Sequence, residues 1–264
     1  MKKDFPLPFE TVSVVVPVYN SRTTLEELFR RLTTALYGIG KDYEILFVND
    51  ASTDDSRRVL EGFLGDRGPF ADDRPRGTIR VIDLAENVGQ QNATLCGIRF
   101  ARGNCVLTID DDLTYPPEAL PGLLTLLGEG KYDIVYGVCP RHTGTPVRRI
   151  GSFFRDLVFE KLLNKPKDVR VTSCKAFTRN IADHLAGEST SFVYLSAVIL
   201  KHTRRIGEKE LVCGGNHSRT TYSLGKLIAT LARLVVYYTD YPLFEKLRKY
   251  GNQYRIRAVY DEER

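Results

Sequence analysis

Three successive carboxylates stand directly behind a short apolar segment near the middle of the chain. Residues 106–109 have the pattern of a buried strand, and Asp110, Asp111 and Asp112 follow it. Negative charges crowded in this way are costly unless a cation neutralises them. Hard oxygen ligands suit Mg²⁺ or Mn²⁺, which typically bridge one or two carboxylates to substrate phosphates. We therefore predict a divalent metal site where this strand ends.

The alternation of side chains along a strand suggests a division of roles within the acidic motif. It directs Asp110 and Asp112 to one side and Asp111 to the other. We assign Asp112 and Asp110 to the metal and the nucleotide, and Asp111 to a supporting role. Alternatively, the carboxylates serve only the N-terminus of a helix near Pro116, where the helix dipole favours negative charge. The motif alone does not decide between these interpretations.

A second polar motif follows the predicted strand 44–48. A carboxylate at this junction, Asp50, can accept a hydrogen bond from a base imide or a ribose hydroxyl. Helix capping would account for Ser52 and Asp54. Asp50 is not needed for that purpose, so it is the candidate for binding a nucleotide.

A third motif surrounds Gly89, which permits a tight turn into a helix. Asn87 and Gln90 flank this glycine and offer polar contacts to a ligand. Taken singly, each of these residues also fits an ordinary junction between a loop and a helix. Their assignment to nucleotide binding therefore depends on the other two motifs.

The segments that carry these motifs alternate regularly along the chain. Apolar β-branched segments predict strands at residues 13–16, 44–48, 79–84, 106–109 and 132–138. Segments with helical periodicity predict helices at residues 25–36, 54–64, 90–101, 120–127 and 150–162. This alternation implies βαβ units, and so an α/β fold with a mainly parallel, Rossmann-like sheet flanked by helices.

The C-terminal part has a different character. Residues 224–247 form an apolar helical pattern flanked by lysines and arginines, which suits an anionic membrane surface or pairing with a second copy. No window of about 18–20 uncharged apolar residues exists, so we predict no straightforward membrane-spanning helix. We therefore divide the chain into an α/β domain that carries the three motifs, residues 1–220, and an amphipathic helical extension, residues 221–264.

Composition narrows the class of protein. The chain has 264 residues, 42% hydrophobic and 27% charged, as in a soluble globular protein. Its net charge of +5 is modest and spread out, and we expect no nucleic-acid partner. Five scattered cysteines without metal-ligand spacing predict reduced, mostly buried thiols. We expect a cytoplasmic protein, with contact to the inner face of the membrane as an additional hypothesis, and no export, because prolines interrupt the N-terminal segment.

The order of five motifs resembles glycosyltransferase family two, with the GT-A fold. The motifs are VVVPVYN, VNDASTDDS, NVGQQNATLCGIRFARGN, LTIDDDLTYPPE and YDIVYGV. Within that family the likeness is greatest to polyprenyl-phosphate (dolichyl-phosphate-type) sugar transferases and cell-wall glycosyltransferases, over residues 11–247. It implies an inverting enzyme that uses Mg²⁺ or Mn²⁺ to move a sugar from a nucleoside-diphosphate sugar to a polyprenyl-phosphate or saccharide acceptor.

The resemblance also implies roles for individual residues. Pro17 and Tyr19 would line the nucleobase pocket, and Asp50 would contact the base. Asp110 would lie near the ribose and the diphosphate, and Asp112 would be the metal ligand.

Further site residues follow from later segments. Lys175 stands where the family often has an arginine that approaches the acceptor or phosphate, and Arg219 belongs to a segment similar to the basic loop that folds over the donor. A lipid-phosphate acceptor is already anionic and needs no strong general base. A sugar hydroxyl would need one, and Glu188 is our candidate.

The sequence departs from the family pattern at three positions. Ser21, Asn49 and Thr114 stand where glutamate, aspartate and glutamine are frequent. These departures keep open a catalytically weakened relative that acts as a binding or scaffolding protein. A dinucleotide-dependent oxidoreductase fits poorly, because the first strand leads into PVYNS rather than G-x-G-x-x-G.

Overall fold

A computed structural model describes residues 7–64, 77–140, 159–161, 163, 165–213, 224–239 and 241–261. The strands in these ranges are β1 (Thr11–Val18), β2 (Asp42–Asn49), β3 (Gly77–Leu84), β4 (Cys105–Thr108), β5 (Ile134–Val138), β6 (Lys175–Thr178), β7 (Ile206–Glu210) and β8 (Ile256–Asp261). The α-helices are α1 (Arg22–Tyr37), α2 (Ser56–Gly62), α3 (Gln90–Phe100), α4 (Leu120–Gly128), α5 (Arg179–Ala186), α6 (Leu195–His202), α7 (Leu224–Tyr238) and α8 (Pro242–Glu245). A short 3-10 helix, Pro117–Ala119, precedes α4.

The strands form one sheet in the order β7-β5-β6-β4-β1-β2-β3-β8. Parallel pairing joins β1 to β2 and β4, β2 to β3, and β5 to β7. Antiparallel pairing joins β6 to β4 and β5, and β8 to β3. The prediction of an α/β fold with a mainly parallel sheet is confirmed.

The central strands are apolar on both faces because helices cover both sides of the sheet. Val14 and Phe47 belong to the core that α1 and α4 cover. Val15 and Val48 belong to the core under α3. A continuous β-branched segment is typical of a strand buried in this way, which explains why β1 could be predicted from its composition.

Helix α3 lies unusually close to the sheet at Gly97. A Cβ atom added there would come within 2.3 Å of Val15 Cγ1 and 3.1 Å of Val48 Cγ2. The missing side chain thus lets the helix approach β1 and β2. This approach also sets the position of Gln90, at the N-terminus of the same helix.

We expect the substitution Gly97→Ala to lower the free energy of unfolding by about 1–3 kcal/mol, because the added methyl group overpacks a closed core. Urea denaturation would measure the loss. Gly62→Ala is the matched control, since no atom lies within 4 Å of its added Cβ. Alanine has the higher helix propensity, so equal stability changes at the two positions would contradict the close packing of α3.

The C-terminal part is only partly helical, which corrects the prediction for residues 221–264. Helix α7 is followed by α8, and β8 then joins the edge of the sheet. The sequence analysis missed β8, in which half-buried and exposed residues alternate, as suits an edge strand with one covered face. The predicted boundary between residues 220 and 221 lies outside the described residues. None of the described helices combines the length and apolar character needed to cross a membrane.

Two cysteines correct the prediction of reduced thiols. Cys139 and Cys213 form a disulfide across 74 residues of sequence, with their Cα atoms 5.6 Å apart. They meet because each follows one of the neighbouring parallel strands β5 and β7, which no local pattern reveals. Cys96, Cys105 and Cys174 are buried free thiols, as predicted. Because this disulfide is present, the cysteines do not indicate a reducing compartment.

Candidate active site at the carboxyl edge of the sheet

The predicted polar residues meet where the parallel strands β1, β2 and β4 end. Asp50 N donates to Val18 O at 2.8 Å, which joins the turn after β2 to the end of β1. Gln90, at the start of α3, donates through its side-chain amide to Asp110 Oδ1. This is the edge where open α/β sheets bind ligands.

The acidic residues lie in a turn rather than on a strand. Because β4 ends at Thr108, strand alternation does not apply to them, and the reason given for their division of roles was wrong. Their contacts nevertheless distinguish them. Asp111 Oδ2 accepts hydrogen bonds from Tyr19 N, at 3.0 Å, and from the Ser21 hydroxyl. Asp111 thus joins the acidic turn to the turn after β1, where Ser21 replaces the family's glutamate.

Asp110 is held by two neutral donors. Its second oxygen, Oδ2, accepts from the Ser173 hydroxyl, in the segment just before β6. Burial raises the pKa of this carboxyl to about 6, and the nearby Asp112 carboxylate adds to the rise. The Ser173 hydrogen bond and the charge of Lys175 oppose it. Sequence analysis did not single out Ser173, because only the pairing of β6 with β4 brings it here.

Lys175 is the cation beside this carboxylate. It lies opposite Thr108 in the β4–β6 ladder and is 3% exposed. Burial lowers its pKa to about 8, and the Asp110 charge opposes this shift. Between about pH 6 and pH 8 both groups are therefore ionised.

The ionised pair destabilises the fold, as the signs of the two shifts show. A carboxyl pKa raised above its unfolded value means that stability is lost as the pH rises through about 6. A lysine pKa below its unfolded value means that stability is lost as the pH falls through about 8. Near neutral pH both groups are thus charged in spite of their burial. Such perturbed pairs are concentrated at functional sites.

Asp112 has an oxygen available for a ligand. Its Oδ1 accepts from Thr114 N at 2.9 Å, and its Oδ2 accepts no hydrogen bond from the described residues. Thr114 Oγ1 is buried and, within the same ranges, has no hydrogen-bond partner. These atoms and the Asp110 carboxylate are hard oxygen donors, which fit Mg²⁺ or Mn²⁺. The described residues contain no cluster of three or more His, Cys, Asp or Glu arranged to hold a metal, so phosphate and water would complete its coordination.

Asp50 and Asn87 position the turn before α3. Asp50 is 2% exposed, and its two oxygens accept from Val88 N at 2.7 Å and Gly89 N at 2.9 Å. Asn87 Nδ2 donates to Asp50 O at 3.3 Å. Burial raises the pKa of Asp50, and the two backbone hydrogen bonds oppose the rise. Both oxygens already have partners, so contact of Asp50 with a base stays a prediction.

The turn after β1 carries Tyr19, the residue predicted to line a nucleobase pocket. Pro17 is the last-but-one residue of β1, and Tyr19, just beyond it, is 48% exposed. Asn20 has a positive φ of 53°, and its Oδ1 accepts from Thr53 N at 2.7 Å. This contact orders the turn, so Tyr19 is held at the edge of the site. Its role in a nucleobase pocket stays a prediction.

A buried carboxylate missed by sequence analysis explains the departure at Asn49. Asp83 is fully buried beside it on β3, and Asn49 Nδ2 donates to Asp83 Oδ1 at 2.7 Å. Arg57 and Arg257 lie 3.4 Å and 3.2 Å from the other Asp83 oxygen. An aspartate at position 49 would offer no donor and would repel Asp83. Because Asp83 is the last-but-one residue of β3 and lies opposite the end of β2, the strand-end pattern could have identified it.

The contacts of Glu188 lie near the C-terminal end of α3. Glu188 O accepts from Arg99 Nη2 at 2.5 Å, near the C-terminal end of α3, and its Oε1 accepts from Thr190 N at 2.8 Å. Arg99 is nine residue steps from Gln90 along this helix, or about 14 Å along its axis. The role of Glu188 as a general base stays a prediction. Arg219 lies outside the described residues.

The sheet and the polar residues at its carboxyl edge define an α/β protein of the Rossmann-like type. The family model described as glycosyl transferase family 2 matches residues 13–185, more than half of the chain. The chain therefore belongs to glycosyl transferase family 2.

Solved structures share the fold. Glucosyl-3-phosphoglycerate synthase from Mycobacterium tuberculosis, crystallised with Mn²⁺, UDP-glucose and phosphoglyceric acid, is 19% identical, with a TM-score of 0.59 over 86% of this chain and 78% of that one. Residues 1–349 of S. aureus TarS, crystallised with UDP-GlcNAc, are 17% identical, with a TM-score of 0.56 over 89% and 69%. At these identities the likeness establishes the GT-A fold alone.

Proposed function

We propose that the chain is a metal-dependent, inverting glycosyltransferase. It moves a sugar from a nucleoside-diphosphate sugar to a polyprenyl-phosphate or saccharide acceptor in the synthesis of a cell-surface glycan. The observation that carries this proposal is the acidic turn, where the charges of Asp110 and the buried Lys175 shift each other's pKa and Asp112 Oδ2 accepts no hydrogen bond from the described residues.

Each of these residues has a separate role in the proposed reaction. Asp110 and Asp112 would hold Mg²⁺ or Mn²⁺, which supplies positive charge to the diphosphate as it leaves. Lys175 keeps Asp110 ionised and adds a positive charge close to where negative charge grows. Asp111 accepts hydrogen bonds from Tyr19 N and from the Ser21 hydroxyl. It thereby holds the acidic turn against the turn that would line the nucleobase pocket.

The choice between the two classes of acceptor depends on whether the reaction needs a general base. Glu188 Oε1 already accepts a hydrogen bond from Thr190 N, and a hydroxyl acceptor needs a carboxylate that is free to take its proton. An anionic lipid phosphate needs none. We therefore favour polyprenyl phosphate over a sugar hydroxyl. Uridine is our first choice of base, because the similar structures hold UDP-sugars.

A thermal-shift panel of UDP-, GDP- and dTDP-sugars, with and without Mn²⁺, tests the donor site. A ligand at about 100 times its Kd stabilises the native state by about 2.7 kcal/mol, so we expect a Tm rise of several degrees with one base and only with metal. Turnover is then measured as nucleotide release with polyprenyl phosphate. Metal-dependent binding without turnover on either acceptor class would favour the binding or scaffolding relative, and no shift in folded protein would contradict the donor site.

A further inference from the structure

Exposed apolar side chains are concentrated in one short segment of the C-terminal part. Seven large hydrophobic side chains are exposed among the described residues, and four belong to residues 241–250, which we call the docking segment. They are Tyr241 (61% exposed), Leu243 (62%), Leu247 (58%) and Tyr250 (59%). Single exposed apolar residues are common, but a contiguous group marks an interaction surface.

Basic side chains accompany these apolar ones. Lys246 and Lys249 are exposed within the segment, and Glu245 is its one acidic residue. Aromatic and leucine side chains beside lysines suit the interface of an anionic bilayer, where the rings and aliphatic groups enter the headgroup region and the ammonium groups meet lipid phosphates. Such a lysine contributes attraction that falls off within a Debye length of the membrane surface.

Hydrogen bonds and a β-bridge attach the docking segment to the rest of the domain. Arg248 Nε donates to Val236 O at 3.0 Å, which attaches the segment to the end of α7. Ser191 N donates to Lys249 O at 2.8 Å, and Tyr250 forms a β-bridge with Thr190. The exposed side chains are thus held on a preformed support, so little backbone ordering is required when they bind.

The segment is connected to the start of α3. From Ser191, beside Lys249, the chain runs to Leu195, whose N–H donates to Gln91 Oε1 at 3.0 Å. Four residue steps span at most about 14 Å. The neighbouring residue Gln90 donates to Asp110, so this series of contacts connects the docking segment to the acidic turn.

We propose that the docking segment binds the surface of an anionic bilayer, with Tyr241, Leu243, Leu247 and Tyr250 inserted among the headgroups and Lys246 and Lys249 against lipid phosphates. Membrane binding does not depend on the proposed function. Only its use, to place the acidic turn beside a lipid-phosphate acceptor, depends on it.

Vesicle sedimentation tests the proposal with the full chain. We expect binding to vesicles of phosphatidylcholine and phosphatidylglycerol, weaker binding to phosphatidylcholine alone, and at least tenfold weaker partition for the double variant Leu243→Glu/Leu247→Glu. Val259→Glu is the matched control, because Val259 is exposed on β8, outside the segment. Lys246→Glu/Lys249→Glu should lower binding only to the anionic vesicles, and provides the same test should the leucine variant fail to fold.

Equal partition of the wild type and these variants, or no binding of the wild type to anionic vesicles, would overturn the proposal. A concentration-dependent dimer that the leucine substitutions abolish, in a protein that does not bind vesicles, would instead identify the segment as an interface between copies. The metal-dependent thermal shift with nucleotide sugars is measured on the same variants. Its presence or absence reports on the donor site, so failure of the two proposals can be distinguished.

Discussion

The substitution Asp112→Asn should reduce sugar transfer roughly a thousandfold and abolish metal-dependent donor binding. Charge stabilisation by a bound metal contributes several kcal/mol to the transition state, and each 1.36 kcal/mol changes the rate tenfold. The amide oxygen of asparagine can still accept from Thr114 N, so the acidic turn keeps its local hydrogen bond. We therefore expect a loss of function without unfolding.

Initial rates over a titration of Mn²⁺, together with the Tm of the unliganded protein, would measure both parts of this expectation. Asp183→Asn is the matched control, because that side chain is 64% exposed on α5 and pairs only with the neighbouring Arg179 in the described structure. It should keep wild-type rates and stability within about 0.5 kcal/mol. Full activity of Asp112→Asn would remove this residue from the metal site.

Replacing Lys175 with methionine should reduce transfer about a hundredfold and change its pH dependence. In the wild type the Asp110–Lys175 pair is ionised between about pH 6 and pH 8, and we expect transfer to be fastest in that window. Without the lysine, the pKa of Asp110 rises further, because a neighbouring positive charge is lost. The acid limb of the rate profile should then move above pH 6.

Lys175→Arg is the control, since arginine keeps the positive charge and is frequent at this position in the family that the sequence resembles. Rates of sugar transfer between pH 5 and pH 9, and Mn²⁺ affinity from the same titrations, would compare the two variants. A purely structural lysine would lower the Tm of the methionine variant without moving the acid limb. That result would exclude Lys175 from controlling the ionisation of Asp110.

The sequence by itself determined the alternating elements and the strand-end positions of Asp50, Asp110 and Asp112. Buried parallel strands require continuous apolar segments, and polar residues that follow such segments must meet at one edge of the sheet. It also determined the family, through the order of the motifs. The orientations of the Asp110 and Asp111 side chains could not be predicted, because β4 ends before these residues. Contacts with Ser21, Ser173 and Gln90 determine those orientations.

Tertiary structure alone decided the features that join distant segments. The Cys139–Cys213 disulfide depends on the adjacency of β5 and β7, and β8 is stable only because β3 offers an open edge. The contact of Glu188 O with Arg99, on α3, likewise joins segments that no local pattern brings together. Local periodicity determines elements and their ends, whereas which elements become neighbours depends on how the whole chain buries its apolar faces.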